Sequence, residues 1–424
     1  MIQTPRIAFH TKMLIGVVAG IVVGVVAHLA AGQQQWLKTV IQYVSYPIGQ
    51  IFLRLLFMLI VPLIFSALVL GVTGLGDLRQ LGRIGAKTLA YTVAVSAIAV
   101  LLGISLMTLF RPGDRISDAA RVQLTQTLGT DTERSLGASP KGGLDLFIQI
   151  VPDNPIKAAA NGDMLAVMFF ALLFGIALSI VKTDAARRLE ETIRGLYDVT
   201  MKLIDMVISL APVAVGMLLF TLTAGLGYEI LLQLAGYVGV VLLAMAIHQF
   251  GVYPLSVLVL GKMSPRRFFS GISDAILTAF STASSNATLP TSLRVAEEKL
   301  KLPPQISRFV LTIGSTTNQN GTALFEGMTV LFLAQFYGVT LSLGQQLLVV
   351  MICILGGIGT AGVPAGSIPV VVMILSMVGV PPEGIGLILG VDRFLDMCRT
   401  TLNVTGDLAA AVAIAGTERT QASS

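Results

Sequence analysis

Charge is scarce in this chain: only 12% of its 424 residues are Asp, Glu, Lys or Arg. Soluble domains carry about 25%, so the sequence lacks the material for a water-facing surface. Cysteine is nearly absent too. Cys353 and Cys398 lie in separate apolar segments, which excludes a disulfide framework and a cysteine metal site. The three histidines, His10, His28 and His248, are scattered, with no nucleophile–base pair or metal cluster around them, so the chain does not read as an enzyme. No nucleotide-binding loop is present to power a primary pump. The net charge of +5 is not gathered into a basic patch with interleaved aromatics, so nucleic acid is not an expected partner.

Apolar residues are abundant, at 54% of the chain with a mean hydropathy of +0.83. They fall in repeated runs of about 20 residues or more, each long enough to cross a bilayer core of about 30 Å. Runs this long and continuous predict helices and exclude a β-barrel, because the backbone must satisfy its own hydrogen bonds in lipid. Crossings are expected at residues 13–31, 45–74, 87–110, 163–182, 198–224 and 229–261. Residues 13–31 lack a convincing cleavage site, so the first helix is expected to be retained rather than removed as a signal peptide. The only long polar stretch, 111–160, reads as an aqueous loop.

The basic residues sort by side. Arg6 and Lys12, then Arg79, Arg83 and Lys87, then Lys182, Arg187, Arg188 and Arg194, then Lys262, Arg266 and Arg267 all fall on one face if each run crosses once. The positive-inside rule makes that face, and the N-terminus, cytoplasmic. Beyond residue 265 the pattern changes. Residues 268–292 are interrupted by Ser281 to Thr288 and flanked by basic residues at both ends, which fits a hairpin entering and leaving on one side. Residues 347–379 repeat the device around Gly356 to Gly366. Between them, 306–338 is broken at Ser315 to Thr322, and a last span covers roughly 383–416. Paired interrupted segments are the sequence pointer to an inverted repeat and a transporter binding site. Ordinary Gly- and Ser-rich packing helices are the plainer alternative.

The last span carries an ionisable stripe. At about 100° per residue, with Asp396 as zero, Asp392 falls at about −40°, Arg399 at −60°, Thr400 at +40°, Asn403 at −20° and Asp407 at +20°. Charges in a membrane interior cost several kcal/mol, so they must meet partners, water or ligands. An internal ion pair of Arg399 with Asp396 is the structural alternative to a binding site, and it is expected to leave Asp392 and Asp407 unpaired. As chemistry, a guanidinium takes a carboxylate bidentately, an Asp receives an ammonium, and Asp407 with Asn403 offers hard oxygen ligands to a small cation.

The segments SSNATLP (Ser284 to Pro290), NQNGTALFEG (Asn318 to Gly327), GTAGVPAGS (Gly359 to Ser367) and DMCRTTLNVTGD (Asp396 to Asp407) occur in this order. So do VPDNPIKAAANGD (Val151 to Asp163) and the FLRLLFMLIVPLIF run around Arg54. Together they resemble the dicarboxylate/amino acid:cation symporters, which include the glutamate transporters and their prokaryotic homologues, over nearly the whole chain. The resemblance implies an all-α polytopic membrane protein with eight transmembrane helices, two re-entrant hairpins, inverted repeats and an elevator mechanism. It implies a homotrimer in the cell (inner) membrane with both termini cytoplasmic, and no cofactor. Residues 1–74 (spans 1 and 2) and 111–224 (loop, spans 4 and 5) would form a scaffold. Residues 75–110 (span 3) and 225–416 would form the moving transport domain, with 417–424 a cytoplasmic tail.

By the same resemblance, Arg399 binds the side-chain carboxylate of an acidic amino acid and Asp396 its α-amino group. Thr322, Thr400 and Asn403 help hold the carboxylates, while Ser285 and the Val363 to Gly366 backbone close the two hairpin tips. Gly314, Asn318, Asn403 and Asp407 form a cation site suited to sodium, and Thr316 and Thr360 complete the cation-binding set. Having both Asp396 and Arg399 favours aspartate or glutamate; a C4-dicarboxylate or another amino acid carried by the same fold is the alternative, and a membrane enzyme or channel is the reading from another class.

The chain departs from the family pattern at the cations. Gln319 stands where the family has Met, Asn320 where it has Asp, and Val95 where it has Thr, although Ser96 remains. One sodium site thus reads as dismantled and another as altered. Glu326 sits at the family's proton-carrying position, and a lone acid in a membrane interior suits that task because burial penalises its charged form; a hydrogen-bonded structural Glu is the alternative. Coupling to H+, or to H+ with fewer Na+, is the expectation. Ala283 and Met397 occupy positions where relatives often carry an arginine. Arg393, at about +60° on the stripe's edge, is a candidate substitute.

Overall fold

The computed structural model describes residues 9–32, 34–74, 78–115, 151–161, 164–227, 229–359 and 367–422, and among them there is no strand. The helices are α1 (Phe9–Ala31), α2 (Gln35–Val40), α3 (Tyr46–Phe57), α4 (Ile60–Gly74), α5 (Leu78–Phe110), α6 (Pro155–Asn161), α7 (Met164–Ile180), α8 (Asp184–Ile208) and α9 (Ala211–Leu226). They continue as α10 (Glu229–Ile247), α11 (Tyr253–Val259), α12 (Pro265–Thr282), α13 (Ser285–Glu298), α14 (Pro304–Thr317), α15 (Asn320–Tyr337), α16 (Leu343–Gly359), α17 (Ser367–Met377) and α18 (Ile385–Ala422). A π-helical turn, Ile41–Ser45, joins α2 to α3, and another, His248–Val252, joins α10 to α11.

Among the described residues, four helical runs are long and apolar enough to cross a membrane: Thr11–Ala31, Gln35–Thr73, Arg83–Asp114 and Leu231–Val259. A fifth crossing exists if the pair Asp184–Ile208 and Ala211–Gly225, bent by 55°, counts as one. That pair revises the expected crossing at 198–224. The helix starts at Asp184, where the Thr183 hydroxyl caps it by accepting from the Ala186 amide at 3.2 Å. It then bends just before Pro212, whose ring nitrogen has no proton to give the preceding turn.

The helices of the first half pack through small residues. α1 lies on α9, and a Cβ added at Gly216 would stand 2.8 Å from the Gly16 carbonyl oxygen. Gly16 and Gly20 meet the α9 backbone in the same way, the close approach that small residues at four-residue spacing allow. The other side of α1 carries Leu14, Val18, Val22 and Leu29, all exposed, as a lipid- or protomer-facing surface requires.

In the second half, helix breaks bring polar groups inside. α12 and α13 pack on each other across a two-residue break. Ala283 there is left-handed (φ 49°), and Ser284 is extended, its hydroxyl accepting from the Ala287 amide at 3.2 Å. The interruption expected over Ser281 to Thr288 is therefore much tighter. α14 and α15 are separated by Asn318 and Gln319 alone, both outside helical backbone angles. α16 and α17 flank a segment whose residues 360–366 lie outside the described ones. α18 contacts α12, α14 and α15, and is buried without interruption from Leu402 to Gly416.

Candidate functional site

The stripe on α18 forms one charged cluster. Arg399 is 2% exposed; its Nη1 donates to Asp392 Oδ1 at 2.9 Å and its Nη2 lies 2.9 Å from Asp396 Oδ1. The guanidinium also lies over the Phe325 ring of α15, 4.5 Å from the centroid, a cation–π contact on the face its ion pairs leave open. A buried ion survives only when paired and hydrogen-bonded, and Arg399 meets that condition with two acids. The expectation that an internal network leaves Asp392 without a partner is therefore wrong: residues seven apart lie two turns along one face, within reach of a long side chain. Asp407 also has a partner, since Asn318 Nδ2 donates to its Oδ1 at 3.0 Å. Arg393 completes the cluster, with Nη1 at 3.6 Å from Asp396 Oδ2.

The junction between α14 and α15 is knitted to α18 by Asn403. Its Oδ1 accepts from the amides of Gly321 (2.7 Å) and Thr322 (3.3 Å), two of the donors that a helix N-terminus leaves unpaired. Its Nδ2 donates to Thr322 Oγ1 at 3.0 Å and to Gln319 Oε1 at 2.5 Å. Gln319 in turn donates through Nε2 to the Ser315 carbonyl at 3.0 Å, so the residue that departs from the family pattern braces the break.

Below this junction the structure brings Gly314, Asn318 and Asp407 together. A Cβ at Gly314 would stand 2.6 Å from Asp407 Oδ1, so only glycine admits the carboxylate there. Asn318 Oδ1 is buried with no hydrogen-bond partner among the described residues. An unpartnered amide oxygen beside a carboxylate fits a hard cation. Thr316, by contrast, is exposed and its hydroxyl bonds back to the Ile313 carbonyl at 2.9 Å, away from this group. Thr360, Val363 and Gly366 lie outside the described residues.

Where the sequence departs most, the structure is closed by neutral hydrogen bonds. Ser96 donates to Asn320 Oδ1 at 2.6 Å, Asn320 Nδ2 donates to the Tyr253 hydroxyl at 3.2 Å, and Tyr253 donates to the Leu402 carbonyl at 3.0 Å. Tyr253 escaped the sequence reading; its signal was a tyrosine in an apolar span, whose hydroxyl must find a partner once buried. Glu326 is fully buried and neither carboxyl oxygen has a hydrogen-bond partner among the described residues. It faces α16, where a Cβ at Gly356 would lie 3.3 Å from its Oε2. Ser285 and Thr400 are buried, and the hydroxyls of Ser285 and of Ser367, the first residue of α17, have no partner among the described residues. Ser367 too was missed as a site residue. A cavity of about 310 Å³ opens beside the cluster, between Phe52 and Asp205 of the first half and Ile368, Asp392, Arg393 and Asp396 of the second.

Apolar helices, paired helix breaks and a buried ionisable face meeting at them define a membrane transporter. The chain belongs to the sodium:dicarboxylate symporter family, whose model matches residues 9–417. It is 35% identical over 407 residues to the proton/glutamate-aspartate symporter of Escherichia coli (strain K12), covering 95% of this chain and 91% of that one. It is 33% identical to the proton/sodium-glutamate symport protein of Bacillus subtilis (strain 168), covering 96% and 92%. It is 31% identical to excitatory amino acid transporter 3 of Mus musculus, covering 93% and 83%. This membership makes the protein a membrane symporter rather than an enzyme.

Proposed function

We propose that the chain is a secondary active symporter for acidic amino acids, aspartate or glutamate, driven by protons or by protons with a reduced number of sodium ions. The observation that carries the reading is the buried pairing of Arg399 with Asp396, a carboxylate grip beside an ammonium acceptor. An entering substrate carboxylate takes the place of an acid on Arg399, and its ammonium takes Asp396 Oδ2, so neither charge is left bare. Thr322, Thr400 and Asn403 line the carboxylates, and Ser285 with the Val363 to Gly366 backbone closes over them.

Proton coupling is supported by Glu326, an acid with no hydrogen-bond partner in a fully buried place, and by the neutral network around Asn320 where the family pattern has an acid. The residues at Gly314, Asn318, Asn403 and Asp407 suit one sodium ion, and Thr316 with Thr360 would complete the cation-binding set. The names of the bacterial relatives, which include proton and proton/sodium symporters, agree with this range.

The working assembly in this proposal is a homotrimer of eight-span subunits in the cell inner membrane, both termini cytoplasmic. Residues 1–74 and 111–224 form the scaffold, and residues 75–110 and 225–416 the elevator. A C4-dicarboxylate is the second reading, favoured by Arg393, which already sits on the oxygen of Asp396 that an ammonium needs. Uptake of labelled aspartate into vesicles tests the coupling. Accumulation should follow an imposed inward proton gradient; accumulation that follows only a sodium gradient and ignores pH would overturn it.

A further inference from the structure

The geometry points to Arg393 as a specificity-determining residue: a resident cation on the outer oxygen of Asp396 that the substrate's ammonium must displace, with Asp205, which lines the same cavity, as its alternative partner. The inference rests on the proposed reading of Asp396 as the ammonium acceptor. Asp396 has two oxygens with different occupants. Oδ1 faces the deeply buried Arg399 at 2.9 Å, and Oδ2 faces Arg393 at 3.6 Å. The first pair is 2% and 5% exposed, whereas the Arg393 side chain is 29% exposed. Arg399 is therefore held, while Arg393 is free to leave.

Two further observations say that it leaves readily. Arg393 Nε is buried with no hydrogen-bond partner among the described residues, so the guanidinium is incompletely satisfied where it stands. The cavity of about 310 Å³ beside it is lined also by Asp205 of α8, an acid from another helix. A guanidinium displaced from Asp396 thus has room and a counter-charge, and the movement swaps an ion pair within α18 for one reaching α8. A substrate without an ammonium makes no such demand. Arg393 then stays on Asp396 and keeps that acid neutralised. The residue consequently handicaps amino dicarboxylates and spares plain dicarboxylates.

The test is uptake of labelled L-aspartate and succinate by purified protein in proteoliposomes, comparing wild type with Arg393→Ala, Arg393→Met and Arg393→Lys. A partly exposed pair at this distance carries at most about 1 kcal/mol, so removing it should lower the aspartate KM by up to about fivefold. The succinate KM should hold or rise, and Arg393→Lys should fall between wild type and the two neutral variants. A merely structural role for Arg393 predicts a parallel loss of Vmax for both substrates instead. The inference is overturned if both KM values move together, or if the aspartate KM rises in Arg393→Met as well as in Arg393→Ala. If one neutral variant fails to fold, the other and the lysine variant carry the comparison. Wild-type protein that takes up succinate but neither aspartate nor glutamate sinks the substrate reading and this inference together; wild-type aspartate uptake with an unchanged KM in the variants sinks the inference alone.

Discussion

The α1–α9 pair and the α14–α15–α18 junction bury their helices by opposite means. At α1 and α9 the contact is backbone against backbone, made possible by Gly16, Gly20 and Gly216. At the junction two helices stop short of each other, and the orphaned amides of Gly321 and Thr322 are returned to hydrogen bonding by a side chain of a third helix, Asn403. The first arrangement is close backbone packing, crossed by contacts such as the Thr223 hydroxyl donating to the Gly20 carbonyl at 3.5 Å. The second consists of groups that have partners now and can exchange them. The contrast separates what holds the molecule from what works in it.

Substitutions on the two sides should therefore fail differently. The largest effect belongs to Arg399→Ala, which leaves Asp392 and Asp396 buried without their cation; uptake of every dicarboxylate should fall by ~10²-fold or more, and residual uptake near the wild-type rate would contradict the assignment. Next comes Gly314→Ala. Its methyl group would stand 2.6 Å from Asp407 Oδ1, where ordinary contact begins at 3.4 Å, and the displacement of roughly 1 Å this forces costs about 10²-fold at a site that depends on position. The loss should appear as raised cation requirement in uptake, with the fold preserved. On the other side, Gly216→Val should lower the melting temperature of the purified protein, since overpacking costs about 1–3 kcal/mol. The fraction that folds should keep the wild-type KM. A KM change there would break the comparison.

The smallest effect is expected at the end of α18. Glu418 meets Lys87 at 2.8 Å and also Arg83, both on α5, and their hydrogen bonds hold its carboxyl below its ordinary 4.5. A depressed carboxylate contributes its stabilisation above that value and loses it as pH falls through the folded one. Glu418→Gln should thus cost a little thermal stability at neutral pH, and the difference from wild type should vanish in acid. A difference that stays constant however far the pH is lowered would show that the ion pair is not its cause.

The sequence made the face of α18 readable, because a helical wheel needs only the residue order. It did not make the reach of Arg399 readable: the wheel discards length along the axis, so Asp392, two turns away, looked unpaired. The helix breaks were legible as runs of small polar residues, but their width was not, since Ser, Thr and Asn sit as readily in the adjoining turns as in the gap. Tyr253 was hidden because it meets Asn320 from another helix. The bend before Pro212 has a signal in the proline itself, but the apolar run across it reads equally as one straight crossing.

The most direct test of the central claim is calorimetric titration of L-aspartate and succinate into purified wild type and Asp396→Ala. The account predicts that wild type binds aspartate, and that the variant loses aspartate while retaining succinate. Aspartate binding that survives the loss of Asp396, or succinate binding that disappears with it, would contradict the account.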